Sequence, residues 1–164
     1  MRFLFILFIL CVPPIWGNSS WAESDVAARG RSTGLPLPRM ACIKTTPINA
    51  RTGPGKRYPI EHVFLWRAPV EIIDEFDTWR KVRDREGAIG WIHQNFLTGS
   101  RVLQIKQDEL LKSYEDPSSR PIAQVKMNAL GKLKKCSSTY CQVKFETMTG
   151  WLPKSCIWGL KEEE

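Results

Sequence analysis

Six side chains between Asn49 and Trp91 are of the types that hold a polar polymer. Tyr58, Trp66 and Trp91 offer flat faces for stacking on sugar or peptide planes, and Asn49, Arg51 and Arg57 offer donors suited to carboxylates. Asn49 and Arg51 precede Thr52-Gly53-Pro54-Gly55, whose glycines permit a tight loop, and Arg57 and Tyr58 follow it. Trp66 stands in Leu65-Trp66-Arg67-Ala68-Pro69, a turn pattern that leaves its ring at the surface. Each aromatic also competes for a core position, because small β-domains fill their ends with such rings. Covalent chemistry has fewer candidates. His62 and His93 are the only histidines, no acidic pair stands in an acid–base arrangement, and a Cys–His nucleophile needs a free thiolate. These residues predict a non-catalytic binding protein without a cofactor.

Cysteine usage points to an oxidising compartment. Beyond Cys11, in the N-terminal apolar run, the chain has Cys42, Cys136, Cys141 and Cys156, an even number. Cys136 and Cys141 enclose Ser-Ser-Thr-Tyr, which suits a tight turn between paired strands and brings two opposed Cβ atoms within bridging distance. A Cys136–Cys141 disulfide is expected. A zinc site would want a C-x2-C knuckle and a redox pair a two-residue spacing; neither is present, so no metal is expected. Cys42 and Cys156 either pair across the two halves of the chain or stay as buried thiols.

Those residues need elements to position them. Arg2 followed by the apolar run Phe3 to Val12, the break at Pro13-Pro14, and Ser20-Trp21-Ala22 predict a cleaved signal peptide over 1–22. The run is short of the ~20 residues that span a bilayer, so no membrane span is expected in the mature chain. Residues 23–39, rich in Gly, Ser, Pro and Arg, predict an extended flexible leader. From there, Met40 to Lys44, Ile48 to Arg51, His62 to Trp66, Val70 to Phe76, Trp79 to Arg83 and Ala88 to Ile92 alternate in strand fashion between turn signals. Arg101 to Ile105 closes the first unit and leads into a second, where Ile122 to Val125, Gly131 to Lys135, Tyr140 to Phe145 and Thr149 to Leu152 resume the pattern. Residues 108–114 (DELLKSY) fit either a helical turn or the first strand of a second unit. The segments WRKV and IGWIHQNFLTG recur as YCQV and TGWLPKSCIWG, a period of about 60 residues that predicts two copies of one small β-unit. The charge of +7 is spread over both units, without a basic run of the kind that tracks nucleic acid, and nucleic acid is not an expected partner.

INARTGPGKRYPI followed by VEIIDEFDTWRKVRDREGAIGWIHQNFLTG resembles the bacterial SH3 (SH3b) family, whose pattern runs N-x-R-x-G-P, then G/D-x-W-x-x-V, then G-W-[VI]. The layout resembles small exported proteobacterial proteins with tandem SH3-like domains. The resemblance implies an all-β fold of two tandem SH3-like β-barrels, at 40–105 and 106–160, with an acidic tail at 161–164. The second is degenerate: SYEDPSSR replaces the N-x-R-x-G-P loop, while Tyr140, Val143, Gly150 and Trp151 keep the register of Trp79, Val82, Gly90 and Trp91. In such a barrel Trp79 and Val82 fill one end, Phe96 and Leu97 plug the bottom, and Gly90 admits a close backbone approach. The resemblance further implies a periplasmic module that binds peptidoglycan or a cell-wall peptide. The alternative is an envelope adaptor or structural protein, its barrels packed through Cys42, Cys156 and Trp158.

Overall fold

The computed structural model describes residues 28–44 and 47–161. The signal-peptide span 1–22, the first leader residues and the last three residues of the tail lie outside the described residues. The described chain is all-β, with two seven-stranded antiparallel sheets. The first lobe has β1 (Arg39–Ile43), β2 (Ile48–Arg51), β3 (Ile60–Phe64), β4 (Pro69–Phe76), β5 (Trp79–Arg83), β6 (Ile89–His93) and β7 (Leu97–Thr98). The second has β8 (Val102–Ile105), β9 (Glu109–Lys112), β10 (Pro121–Val125), β11 (Leu130–Cys136), β12 (Tyr140–Phe145), β13 (Met148–Pro153) and β14 (Ile157–Trp158). Residues 108–114, open between helix and strand in the sequence, thus supply β9, and Val102–Ile105, expected to close the first unit, instead opens the second by pairing with β11 and β14, so the lobes divide before residue 102 and not after 105.

The strand orders, β3-β2-β6-β5-β4-β1-β7 and β10-β9-β13-β12-β11-β8-β14, are one topology repeated. The repeat extends to individual residues. Val82 opposes Gly90 and Lys81 opposes Trp91, as Val143 opposes Gly150 and Gln142 opposes Trp151. Register shifts fall at Ala50/Arg51 and Ile72/Asp74 in one lobe and at Pro121/Ala123 and Leu133/Lys135 in the other. Arg67 and Asn128, equivalent turn residues, both take a positive φ, of 62° and 68°. Such bulges and turns fix strand bend and register, so two sequences with few shared residues still build one framework.

Each lobe encloses its own core. In the first, Ile43, Ala50, Val70, Ile72, Val82 and Ile92 are buried together; in the second, Leu103, Ile105, Leu111, Val143, Leu152 and Ile157 are. The period of two along each strand sends these side chains inward and their neighbours outward. Gly90 is required by this packing. A Cβ there would stand 2.6 Å from the Ala50 methyl, so β6 can press onto β2 only without one.

The leader behaves differently from the extended segment expected of it. Residues 28–37 fold back as a hairpin, with an Arg29–Pro36 bridge and Gly30 bonding Leu35, and Leu37 enters the first core. The reason is Glu75, an acid placed on the inward face of β4 and 1% exposed. Its carboxylate accepts from the Ser32 and Thr33 amides at 3.2 and 2.9 Å, from the Thr33 hydroxyl and from Arg39, with Arg80 Nε 3.5 Å away. Burial alone would raise the Glu75 carboxyl, but the bonds from Arg39 and Thr33 outweigh it and hold the group below its ordinary value. Paired and solvated in this way, a buried charge becomes a fastening point for the strap.

Cys136 and Cys141 are disulfide-bonded, whereas Cys42 and Cys156 are buried free thiols, each within its own lobe. The lobes meet elsewhere. Asn128 Oδ1 accepts from Arg85 of the first lobe at 2.8 Å and from Gln104 of its own lobe at 3.1 Å. Met40 reaches over to Gly159.

Candidate functional site

The outward residues of β2, β5 and β6 form one face of the first lobe, flanked by the loop 52–59. The loop is closed at its neck by Thr52 N–H to Pro59 O at 3.0 Å and braced by Arg51 Nη1, which donates to Tyr58 O at 2.7 Å. Inside it, Tyr58 lies so close to Gly53 that a Cβ there would stand 2.5 Å from the ring. Gly53 is thus the position at which the N-x-R-x-G-P pattern tolerates no side chain.

Beside this loop a groove of about 670 Å³ is lined by Pro47, Ile48, Asn49, Arg51, Lys56, Trp79, His93, Asn95 and Phe96. Its aromatic wall is ordered edge to face: Trp79 and His93 have centroids 5.6 Å apart at 89°, and Phe96 follows His93 at 6.2 Å. His93 is held further by accepting the Asn95 amide on Nδ1 at 3.3 Å, which caps the 3₁₀ turn Gln94–Phe96 and leaves the neutral ring's proton on Nε2. Arg51, whose Nη1 is engaged by Tyr58 O, and Lys56 bring two cations to the same lining.

Of the six residues singled out in the sequence, Asn49 and Arg51 line this groove. Arg57 and Tyr58 belong to its flanking loop, where the guanidinium lies 5.2 Å from the ring centroid. Trp91 shares the face, opposite both Arg51 and Lys81, but is half-buried. Trp66 is exposed, as its turn suggested, yet stands at the β3–β4 turn under Arg67 and away from the groove.

The groove's aromatic wall corrects two core expectations. Phe96 does not plug the bottom of a barrel; it is 40% exposed and faces the groove, while Leu97 is partly buried against the core. Trp79 does not fill the end with Val82. In a strand, Val82 inward requires Arg80 inward and Trp79, Lys81 and Arg83 outward. That parity was present in Trp-Arg-Lys-Val-Arg, and it was obscured because an inward Arg80 makes no sense until Glu75 is seen beside it. The thiols offer little chemistry, since burial pushes Cys42 and Cys156 each up to about 11.

The sheet, with a polar-aromatic groove beside the loop after its second strand, is SH3-like. Residues 44–99, the bulk of the first lobe, match the family model described as bacterial SH3 domain. No curated protein matches the chain. Among solved structures, NlpC2 from Trichomonas vaginalis is similar at 12% identity and a TM-score of 0.35, over 74% of this chain and 48% of that one. An NlpC/P60 family protein from Bacillus cereus is similar at 15% identity and a TM-score of 0.35, over 73% and 56%. The chain therefore spans about half the length of these structures.

Proposed function

We propose that the chain is an exported, non-catalytic binding module whose first lobe holds a carboxylate-bearing cell-wall peptide, as in peptidoglycan, in the groove between Arg51 and Phe96. The observation that carries this reading is that three aromatic rings, Trp79, His93 and Phe96, and two cations, Arg51 and Lys56, line a single concavity. Rings supply contact area at low entropic cost, and the cations select an anionic end. A protein-adaptor role has one observation in its favour: β3 is an end strand with Ile60 and Val63 exposed, followed by exposed Leu65 and Trp66.

Sedimentation of the mature chain with insoluble peptidoglycan separates the two. Retention should survive high salt and weaken about tenfold in Phe96→Ser, the loss of one aromatic contact of roughly 1.4 kcal/mol. Retention lost at modest salt, or unchanged in Phe96→Ser, sinks the groove reading and leaves the β3 edge as the better site.

A further inference from the structure

The outward face of the second lobe is built on the same register as the groove face of the first, but its charges differ. In the first lobe the cross-strand partners are complementary. Glu71 opposes Arg83 and bonds it at 2.5 Å, and Asp74 opposes Lys81. The matching positions in the second lobe are Lys132 opposite Lys144 and Lys135 opposite Gln142. Both acids have become lysines, and Lys134, the extra residue of the bulge, is exposed beside them.

Directly opposed residues have Cβ atoms about 4.5–5.5 Å apart, at which like charges destabilise a sheet. Among the described residues none of Lys132, Lys134, Lys135 and Lys144 has an ion-pair partner. Nothing in folding favours this arrangement, and the first lobe shows that the same framework accommodates the complementary one. Trp151, 8% exposed, fills the middle of the row, with the Lys135 ammonium 5.2 Å above its ring. Lys112 closes the row opposite Trp151 and is engaged by Pro117 O at 3.2 Å.

We infer that this lysine face docks on the surface of an anionic phospholipid bilayer. Ammonium groups spread over two paired strands, with no carboxylate among their cross-strand partners, match a field of phosphates better than a single discrete ligand. Lysine is a compact point charge that accepts phosphate from many directions, whereas a fixed carboxylate geometry would favour the arginine fork. Basic residues near an anionic leaflet add attraction one by one, so a handful of them gives reversible, salt-sensitive attachment. The second lobe then holds the protein at a membrane while the first presents its groove, at an orientation set by the Arg85–Asn128 latch.

The test is co-sedimentation of the full chain with vesicles of one part phosphatidylglycerol to two parts phosphatidylcholine, against phosphatidylcholine alone, at physiological salt. Lys132→Glu gives the 132–144 pair the complementary charges of Glu71 and Arg83, and Lys135→Gln removes a second cation while keeping a long stem over Trp151. It should lower the apparent affinity for the anionic vesicles at least about tenfold, with thermal stability unchanged or raised because a like-charge pair is gone. Lys126→Glu with Lys106→Gln changes net charge equally but off the face, and should leave binding within about twofold. Four results overturn the inference: no binding to anionic vesicles; equal binding by the face variant; equal weakening by the off-face variant; or loss by the face variant of binding to peptidoglycan with no lipid binding at all, which would assign the face to an anionic glycan.

Discussion

Glu75 and Arg80 in the first lobe occupy the positions that Cys136 and Cys141 occupy in the second, opposed across the same hairpin of the same sheet. One lobe fastens that hairpin with a buried ion pair and the other with a covalent bond. The choice reaches beyond the pair. A carboxylate has lone pairs left over after meeting Arg80, and they recruit Ser32, Thr33 and Arg39, so the first lobe gains an N-terminal strap. A disulfide has no such capacity, and the second lobe ends its hairpin with itself. A small domain with a thin core needs some fastening of this kind, and which one it uses decides what else can be attached.

The largest break in that equivalence should come from Glu75→Ala. It removes the acceptor of Arg39 and the counter-charge of Arg80, 5% exposed and still bonded to Asp77 O, Trp79 O and Gln94 Oε1, and frees the strap, at a cost of about 3–5 kcal/mol. Hydrogen exchange should rise at residues 30–37 and across β4–β5 and stay as it was in β11–β12; a uniform rise would mean that the lobes unfold as one unit. Acid should do the same thing reversibly. Because the Glu75 carboxyl is held below its ordinary value, its contribution is complete above the unfolded-state value and is lost as pH falls through the lower folded one. Asp108, held down by its bond from Lys126, and Asp116, by its bonds from Ser118, also lose stabilisation in acid, but both are exposed and screened. Strap protection should therefore fail before protection of the disulfide-bonded hairpin does.

Reducing the Cys136–Cys141 bond acts on the other lobe. Its loop is short, and the chain-entropy account gives about 2 kcal/mol for a closure of this size. Urea unfolding with and without reductant should show that loss in β11–β12 exchange, with Glu75 and its strap unaffected. An effect on the strap would show coupling through the Arg85–Asn128 contact. The paired glycines give a finer test. A methyl at Gly90 meets the Ala50 Cβ, fixed on the β2 backbone, at 2.6 Å, and at Gly150 it meets Leu111 at 2.6 Å and the Lys112 carbonyl oxygen at 2.7 Å. Gly90→Ala and Gly150→Ala should each cost about 1–3 kcal/mol, measured as separate shifts in thermal unfolding.

Much of this framework is legible in the sequence because it depends on parity and turns. Ile48 to Arg51, Trp79 to Arg83 and Tyr140 to Phe145 are strands with the bounds their alternation gives, and Cys136-Ser-Ser-Thr-Tyr-Cys141 is the disulfide hairpin its spacing requires. The two-residue strands β7 and β14 are too short to show a period. The groove is only half legible. Asn49 and Arg51 are marked by the glycine loop beside them, but Lys56, Trp79, His93 and Phe96 converge from three segments, and only the fold brings them together. The strap is not legible at all, since GRSTGLPLPR has no apolar period and is ordered by one acid forty residues away in sequence.

The smallest effect tests the lysine face from the opposite side. Glu71→Lys gives the first lobe the residue that the second has at Lys132, removing the 2.5 Å bond to Arg83 and setting two cations opposite each other. Arg83 is 47% exposed, so the lost pair was worth no more than about 0.2–1 kcal/mol, and repulsion adds a similar amount. The first lobe should lose under about 2 kcal/mol and keep its fold, while the chain's affinity for phosphatidylglycerol vesicles rises severalfold, because one acid has been replaced by a cation in the same strand register. A stability loss without any gain in vesicle binding would mean that one added cation on this framework is not enough and that the grouping of Lys132, Lys134, Lys135 and Lys144 is what binds.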